Sequence, residues 1–558
     1  MLRSFALFPR IVAFAMLILQ TFLSGHLLGQ EETRAGQPTR RTGAPNVLIV
    51  LCDDLGFSDI GVYGGEISTP NLDQLAQKGR RFTQFYNTAR CWPTRAALLT
   101  GYYAQQVRRD AVPGIPSGNA GKRPDWAVLL PQRLQALGYR SYHSGKWHID
   151  GLPTKNGFHR SYSLQDHDRH FYPRHHTSDD HALPAVNESE TYYSSTAIAQ
   201  YAIDHLQEHF ARFADQPFFS YVAFTAPHFP LQAPQEIVQR YRTKYRSGWD
   251  VLRQERWDRM KHDFPNGELS AIERGLGPPY PFPEALAALG PGESNRPNPW
   301  EELTPIQREF QVDKMAVHAA MVEVMDTEIG RILDCLKRSG QLENTCIFFL
   351  SDNGASAEIM VRGDGHKRDA LPGSAESFLC LGPGWSSLCN TPFRRHKTWV
   401  HEGGIATPMI VSWPDRITPD TKPIDLPAHA IDIVPTILSI VAESDVVNPD
   451  VWQGPPHPGM SIAPLLIDDP DAGMTTTNMR DRKLWWQHEN NRSIRWGSLK
   501  LVASGEGGPW ELYDLTTDRT ESHNLALERP DTVERLSSEW KSMRDLFYRH
   551  ARQPMAAE

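Results

Sequence analysis

The run Asn46–Cys52, NVLIVLC, narrows the fold more than any other stretch of the chain. It is apolar almost throughout, carries several β-branched residues and stops abruptly at Asp53-Asp54. An apolar run without polar alternation predicts a strand buried on both faces, as in a parallel sheet covered by helices. Comparable runs recur at 139–144 (YRSYHS), 218–224 (FFSYVAF), 346–351 (CIFFLS) and 409–413 (MIVSW). Helical stretches lie between them. One covers Asn71–Arg80, and a longer one starts at Thr304-Pro305, a good cap and first-turn pair, and runs towards Lys337. Strands alternating with helices predict an α/β fold built on a large, mixed but mostly parallel sheet with helices on both faces.

The remainder divides by pattern. Residues 1–29 have the shape of a secretory signal: Arg3 and Arg10, an apolar run from Ile11 to Leu23, then small residues near Gly25 and Gly29. That run falls short of the about 20 residues that span a bilayer; the competing reading is an uncleaved anchor. Export to the periplasm or medium is therefore expected. Residues 30–44 read as a flexible polar leader, 45–441 as the catalytic α/β domain and 442–482 as a loop-rich connection. Within the large domain, 228–300 is rich in Pro, Arg, Trp and Gly and reads as an excursion with one or two helices that covers a sheet edge or shapes a cleft. Residues 483–558 turn to short alternating strands and a closing helix from Pro530 to Arg549, predicting a small C-terminal α+β subdomain with an antiparallel sheet. Export permits disulfides, but spacing leaves open whether Cys380 pairs with Cys389 or Cys335 with Cys346.

Ligands of an open α/β sheet bind beyond the carboxyl ends of its strands, so the residues following each strand are the first place to look for chemistry. These are Asp53-Asp54, Lys146-Trp147-His148, Thr225-Ala226-Pro227-His228 and Asp352-Asn353. Either acidic pair alone reads as a turn or helix cap. Together they offer three carboxylates and one amide oxygen, a hard donor set suited to Ca²⁺ or Mg²⁺ rather than Zn²⁺. Lys plus Arg number 58 and Asp plus Glu 66. That acidic balance argues against a nucleic-acid partner and requires any attraction for an anion to be local.

Cys91-Trp92-Pro93-Thr94-Arg95 precedes Ala96–Thr100 and Gly101. Pro93 fits a first helical turn and Gly101 a helix end. Cys91 is thus expected at a helix N-terminus, where anions are favoured and a thiol pKa is lowered; the competing reading is a buried structural cysteine. The Gln165–His181 run, rich in Asp, His and Arg, reads as a solvated loop, with a substrate subsite as the alternative. His205 and His209, four apart, read as a solvated helix face.

The Cys91-Trp92-Pro93-Thr94-Arg95 motif, followed by Leu99-Thr100-Gly101, resembles the signature of the type I sulfatases. Gly138-Tyr139-Arg140-Ser141-Tyr142-His143-Ser144-Gly145-Lys146-Trp147-His148 is similar to that family's second motif, with Ser141 where Thr is commoner. Asn390-Thr391-Pro392-Phe393-Arg394 through Lys397 to Glu402-Gly403-Gly404 is similar to its lysine-bearing loop; His396 departs there and is expected to alter the pocket wall. The 228–300 excursion, with YRSGWDVLRQERWDRM, looks most like the bacterial arylsulfatase branch.

The resemblance implies an alkaline-phosphatase-like fold and hydrolysis of sulfate esters. Cys91 would be oxidised to formylglycine (3-oxoalanine) by a formylglycine-generating enzyme and hydrated to a diol. Asp53, Asp54, Asp352 and Asn353 would hold Ca²⁺, ahead of Mg²⁺, with residue 91 also touching the metal. Arg95 and Lys146 would hold the formylglycine, His148 would act as base, and His228 and Lys397 would assist the leaving group. Lys146, His228 and Lys397 would also bind substrate, a sulfated small molecule or saccharide. Two other readings remain: a phosphonate or phosphate ester hydrolase of the same superfamily, and an inactive sulfate-binding protein.

Overall fold

The computed structural model describes residues 43–264, 267–442, 454–467 and 472–553; the signal segment and most of the leader lie outside them. In chain order the strands are β1 (Asn46–Asp53), β2 (Arg80–Phe82), β3 (Phe85–Tyr86), β4 (Arg140–Gly145), β5 (Arg160–Leu164), β6 (His176–Ser178), β7 (His181–Ala182), β8 (Phe218–Pro227), β9 (Thr345–Ser351), β10 (Met409–Ser412), β11 (Ala428–His429), β12 (Lys483–His488), β13 (Asn491–Trp496), β14 (Leu499–Ala503) and β15 (Glu511–Asp514). Nine of them form one sheet in the order β2-β10-β9-β1-β8-β4-β5-β6-β7. Its five central strands, β9 to β5, run parallel, and the pairs at both edges are antiparallel. The sheet is therefore mixed, as expected, and the MIVSW strand joins it antiparallel.

Strand β1 explains why its sequence lacks alternation. Leu48, Val50 and Cys52 enter one apolar cluster and Val47, Ile49 and Leu51 the other, all at most 1% exposed. The first cluster is roofed by the helix Pro305–Arg338, 34 residues and so about 51 Å long. Thr304 caps it through a hydrogen bond from the Gln307 amide, as the sequence predicts. The second cluster is covered by the helices Cys91–Thr100 and Pro530–Arg552 and by the antiparallel sheet β12-β13-β14-β15. Lys500, fully buried on β14, ties this small sheet through Glu402 (2.8 Å) to the short helix Glu402–Ile405 that leads into β10, and also pairs with Glu521 (2.7 Å) of its own subdomain.

The 228–300 excursion is more ordered than its composition predicts. Its described residues carry three α-helices, Gln235–Tyr245, Gly248–Met260 and Pro283–Leu289. Trp249 packs edge-on to Trp300 and Trp385, so the tryptophans that make the segment look irregular are its internal core. Two of its arginines reach inward. Arg253 donates to the Ser387 carbonyl (3.0 Å) and the Pro392 carbonyl (3.2 Å). Arg256 donates to Asp59 (2.9 Å), on the loop that follows Asp53-Asp54.

Glu273 adds a clasp to Arg394 (2.8 Å) and Arg395 (3.2 Å). Burial pushes the Glu273 carboxyl up, but the two guanidiniums outweigh it and lower it from 4.5 to about 2. A depressed carboxylate stabilises the fold fully above its unfolded value and loses that contribution as pH falls through its folded value. The Glu273→Gln variant should therefore melt lower than the parent above about pH 4.5, with the gap closing towards about pH 2. A gap independent of pH in thermal melts would contradict the clasp.

Two sequence expectations are corrected, and the open disulfide question is answered. His205 and His209 are each 2% exposed, not on a solvated face. They pack on Tyr142, whose hydroxyl bonds His209 Nδ1 at 2.8 Å, because their helix lies flat against β4 and β8. All six cysteines are free and buried; Cys389 lies instead 3.7 Å from His318 Nε2. His396 is buried against Trp399 and does not line the catalytic cavity described below.

Candidate active site

The four strands whose ends carry chemistry are neighbours in the sheet, in the order β9-β1-β8-β4. Their parallel direction brings Asp352-Asn353, Asp53-Asp54, His228 and Lys146-His148 to one edge. Local backbone sharpens the aim. The register of β1 on β8 shifts between Leu51 and Asp53, a bulge that turns the strand end. Asp54 and His148 sit at φ +68° and +53°, a left-handed region that non-glycine residues rarely adopt and that clusters at functional sites.

Cys91 opens the helix Cys91–Thr100, and Gly101 closes it at φ +78°, donating to the Ala97 carbonyl. Both ends agree with the sequence. Arg95, one turn on, is fully buried; it donates to Asp352 Oδ2 from Nε (3.0 Å) and Nη2 (2.8 Å) and to the Lys146 carbonyl (2.8 Å). Lys146 Nζ pairs with Asp53 Oδ2. Lys397 Nζ bridges Asp54 (2.8 Å) and Glu358 (3.2 Å), and Asn353 Nδ2 donates to Asp54 Oδ1 (2.6 Å). His228 Nε2 lies 3.8 Å from Asp54, while its Nδ1 donates to the Phe229 carbonyl.

The cluster suits a hard cation. Asp53 Oδ1 and Asn353 Oδ1 are buried without a hydrogen-bond partner, and unpaired buried acceptors are costly. Burial and the Asp53 charge push the Asp352 carboxyl up to about 7 despite its Arg95 fork. Burial also raises Asp54. Asp53 goes the other way: burial raises it, but Lys146 and Arg95 outweigh that and hold it well below the carboxylate range. Three carboxylates crowded this closely favour a bound divalent ion that offsets their repulsion. Asp53, Asp54 and His228 also offer atoms within 4.8 Å of one another.

One electrostatic expectation fails. The Cys91 thiol is raised, not lowered, because burial outweighs Lys146 and Lys397. A helix N-terminus lowers a thiol only where water can still reach the thiolate. Burial, with Lys146 for His148 and Lys397 for His228, also holds both imidazoles well below their ordinary value, so both rings are neutral at pH 7.

These groups line a cavity of about 450 Å³ that contains Cys91, Lys146, His148, His228 and Lys397. Its outer wall is the Gln165–His175 segment, which the sequence reads as a solvated loop. The structure turns it inward: Asp166 is 7% exposed, and the His167 ring stands 5.5 Å from that of His148. Arg90, Glu358 and Arg362 are site groups that sequence reasoning missed; Trp92 stands inside the quoted motif and His167 inside the run whose alternative reading is a substrate subsite. Arg90 and Glu358 pair at 3.0 Å, and Arg90 and Lys397 bring Glu358 to about 2 against the pull of burial. Position beside the motif could have flagged Arg90; no spacing flags Glu358 or Arg362.

Comparison with known proteins gives consistent matches. The family described as Sulfatase matches residues 45–442, and that described as N-sulphoglucosamine sulphohydrolase, C-terminal, matches 394–545. An uncharacterized sulfatase of Schizosaccharomyces pombe is 33% identical over 89% of this chain and 92% of its own. An arylsulfatase of Klebsiella aerogenes is 31% identical over 70% of this chain and 86% of its own. Among solved structures, Ps i-CgsB in complex with k-i-k-neocarrahexaose superposes with a TM-score of 0.63 at 21% identity, covering 92% of this chain and 95% of that one.

Proposed function

The chain belongs to the sulfatase family and is a sulfuric ester hydrolase, and from that footing we propose that it acts through formylglycine made from Cys91, beside a divalent cation held by Asp53, Asp54, Asp352 and Asn353. What carries the reading is the convergence of Cys91 at a helix start, two unpartnered buried oxygens and two lysines at one end of the sheet. As formylglycine, residue 91 would supply a hydrated aldehyde: one hydroxyl able to displace the alcohol from sulfur, and a second through which the sulfate could afterwards be released and the aldehyde restored. The cation, Ca²⁺ before Mg²⁺ on this all-oxygen donor set, supplies positive charge against the sulfate oxygens.

The chain's own residues do the rest. Lys146 and Lys397 neutralise charge on the bound ester in a site sheltered from water. Arg95 acts by fixing Asp352 and the Lys146 carbonyl. Neutral His148, facing the cavity, can take up a proton from residue 91. His228 donates Nδ1–H to the Phe229 carbonyl, so its neutral ring offers a lone pair at Nε2. Lys397 is then the proton donor nearest to hand for the leaving oxygen. The substrate is a sulfated small molecule or saccharide; Ps i-CgsB is seen in complex with k-i-k-neocarrahexaose, and BT4656, 19% identical with a TM-score of 0.60, in complex with its substrate D-glucosamine-2-N,6-O-disulfate. The signal-like N-terminal segment supports export, and the Cys91, Pro93 and Arg95 of the motif support maturation by a formylglycine-generating enzyme.

The test is release of inorganic sulfate from 4-nitrophenyl sulfate, with 4-nitrophenyl phosphate and phenylphosphonate esters alongside. Preference for the phosphorus esters would overturn the reading in favour of a phosphohydrolase, and binding without turnover would leave a sulfate-binding protein. Elemental analysis should find about one Ca²⁺ per chain, the capacity of a single hard-donor site. The Asp352→Asn variant should purify without it. Stoichiometric zinc in the parent would contradict the assignment.

A further inference from the structure

The Gln165–His175 segment has two faces, and only one belongs to the catalytic cavity. Its other face lines a second cavity of about 480 Å³, and Arg169 is the residue the two share. This volume lies within the range of small-molecule sites, about 300–1,000 Å³.

The second cavity is built rather than incidental. Its floor is Gln232, 2% exposed, which accepts from the His170 amide (3.0 Å) and donates to the Ser377 carbonyl (3.0 Å), tying the two loops that form the walls. Arg169 is held from both sides, by Asp166 and by Asp364, each at 2.9 Å. Phe171 and Tyr172 are half-buried lining residues, and the Phe171 ring is set 5.2 Å from Tyr193. Fixed aromatic faces beside several polar groups are how proteins hold a sugar ring, whose two faces are apolar and whose edge is hydroxylated.

Charge separates the two cavities. The catalytic one is lined by Arg90, Lys146, Arg169, Arg362 and Lys397 against Asp166 and Asp168, an anion-accepting excess. In the second, Arg169, Arg174 and Lys367 face Glu188, Asp364 and Glu376, three cations against three carboxylates. Asp364 pairs with Arg169 and Arg174, and Glu376 with Lys367. A second sulfate placed there would have to break an existing ion pair, whereas hydroxyls can join the network.

We propose that this cavity binds a neutral sugar unit joined to the sulfated one, so that the substrate is the sulfated end of an oligosaccharide lying across Arg169. The proposal rests on the sulfate-ester reading above and goes beyond it in naming the alcohol. The test compares kcat/KM for 4-nitrophenyl sulfate with that for end-sulfated mono-, di- and tetrasaccharides from carrageenan and chondroitin sulfate. At least one series should gain about tenfold on adding the second, unsulfated unit, the scale of one good stacking contact. The exposed-side variants Tyr172→Ala and Arg174→Ala should remove that gain and leave nitrophenyl sulfate turnover within about twofold of the parent, since neither residue lines the catalytic cavity. No gain with length in any series, or equal losses on nitrophenyl sulfate, would overturn the second site. Failure of the parent to cleave any sulfate ester would instead refute the underlying reaction, and this proposal with it.

Discussion

The Cys91→Ala variant is expected to release sulfate from 4-nitrophenyl sulfate on the order of 10⁵–10⁶-fold more slowly than the parent, the scale of removing a covalent nucleophile. The change should leave the fold intact. Cys91 is 3% exposed and small, and the helix it opens is closed independently by Gly101. Parent and variant should therefore melt within a few degrees of each other, the scale of about 1 kcal/mol in a large domain. The same experiment addresses what the nucleophile is. Burial raises the Cys91 thiol, so at neutral pH an unmodified side chain would be the protonated, poorly nucleophilic form. Mass spectrometry of the Cys91 peptide, from a host that has the converting enzyme, should show the aldehyde. Full activity in protein that carries only thiol would sink the proposal.

Lys397→Ala should cost roughly 10²–10³ in kcat/KM, the scale of one transition-state electrostatic contact, and the loss should grow with the basicity of the leaving group. A nitrophenolate departs with little help, whereas a sugar alkoxide needs a proton as it leaves. His228→Ala should cost less on basic leaving groups than Lys397→Ala. The reason is geometric: the His228 Nδ1–H is committed to the Phe229 carbonyl, and the ring is neutral because burial, Lys397 and Lys146 all disfavour its charge. The measurement is kcat/KM across sulfate esters of graded leaving-group pKa. Parallel lines for parent and Lys397→Ala would mean that this lysine binds sulfate without acting on the departing oxygen.

Much of this site could be read from order along the chain. The four strand ends were identifiable because a parallel sheet buried on both faces leaves unbroken apolar runs, and the residue after each run is forced to one edge. Cys91 and Gly101 were legible for the same kind of reason, since helix ends impose local chemistry. What failed did so where tertiary packing overrides local composition. His205 and His209 look solvated by spacing but are covered by Tyr142. The Gln165–His175 segment looks like a surface loop because its charges are satisfied by partners far away in sequence, such as Asp168 by Arg362 and Arg169 by Asp364. The Cys91 thiol was misjudged because a helix dipole is visible in sequence and desolvation is not.

Beyond His228 and Phe229 at its start, the 228–300 excursion lines no part of the catalytic cavity, yet Arg256 grips the loop after Asp53-Asp54 while Arg253 and Glu273 grip the approach to Lys397. Two catalytic loops that lie far apart in sequence, at neighbouring strands of the sheet, thus share one external brace. A change in that brace would move both together, altering the spacing between cation ligands and lysine without altering either loop. For an engineer this makes the segment a tuning handle: substitutions at Trp249 or Trp300, which do not line the catalytic cavity, would be read out as coordinated shifts in metal affinity and turnover. For natural drift it means the reverse. A stretch that looks like a permissive insertion is held to the tolerance of the site it supports, and variation that its surface could absorb is limited by what its two arginines must reach.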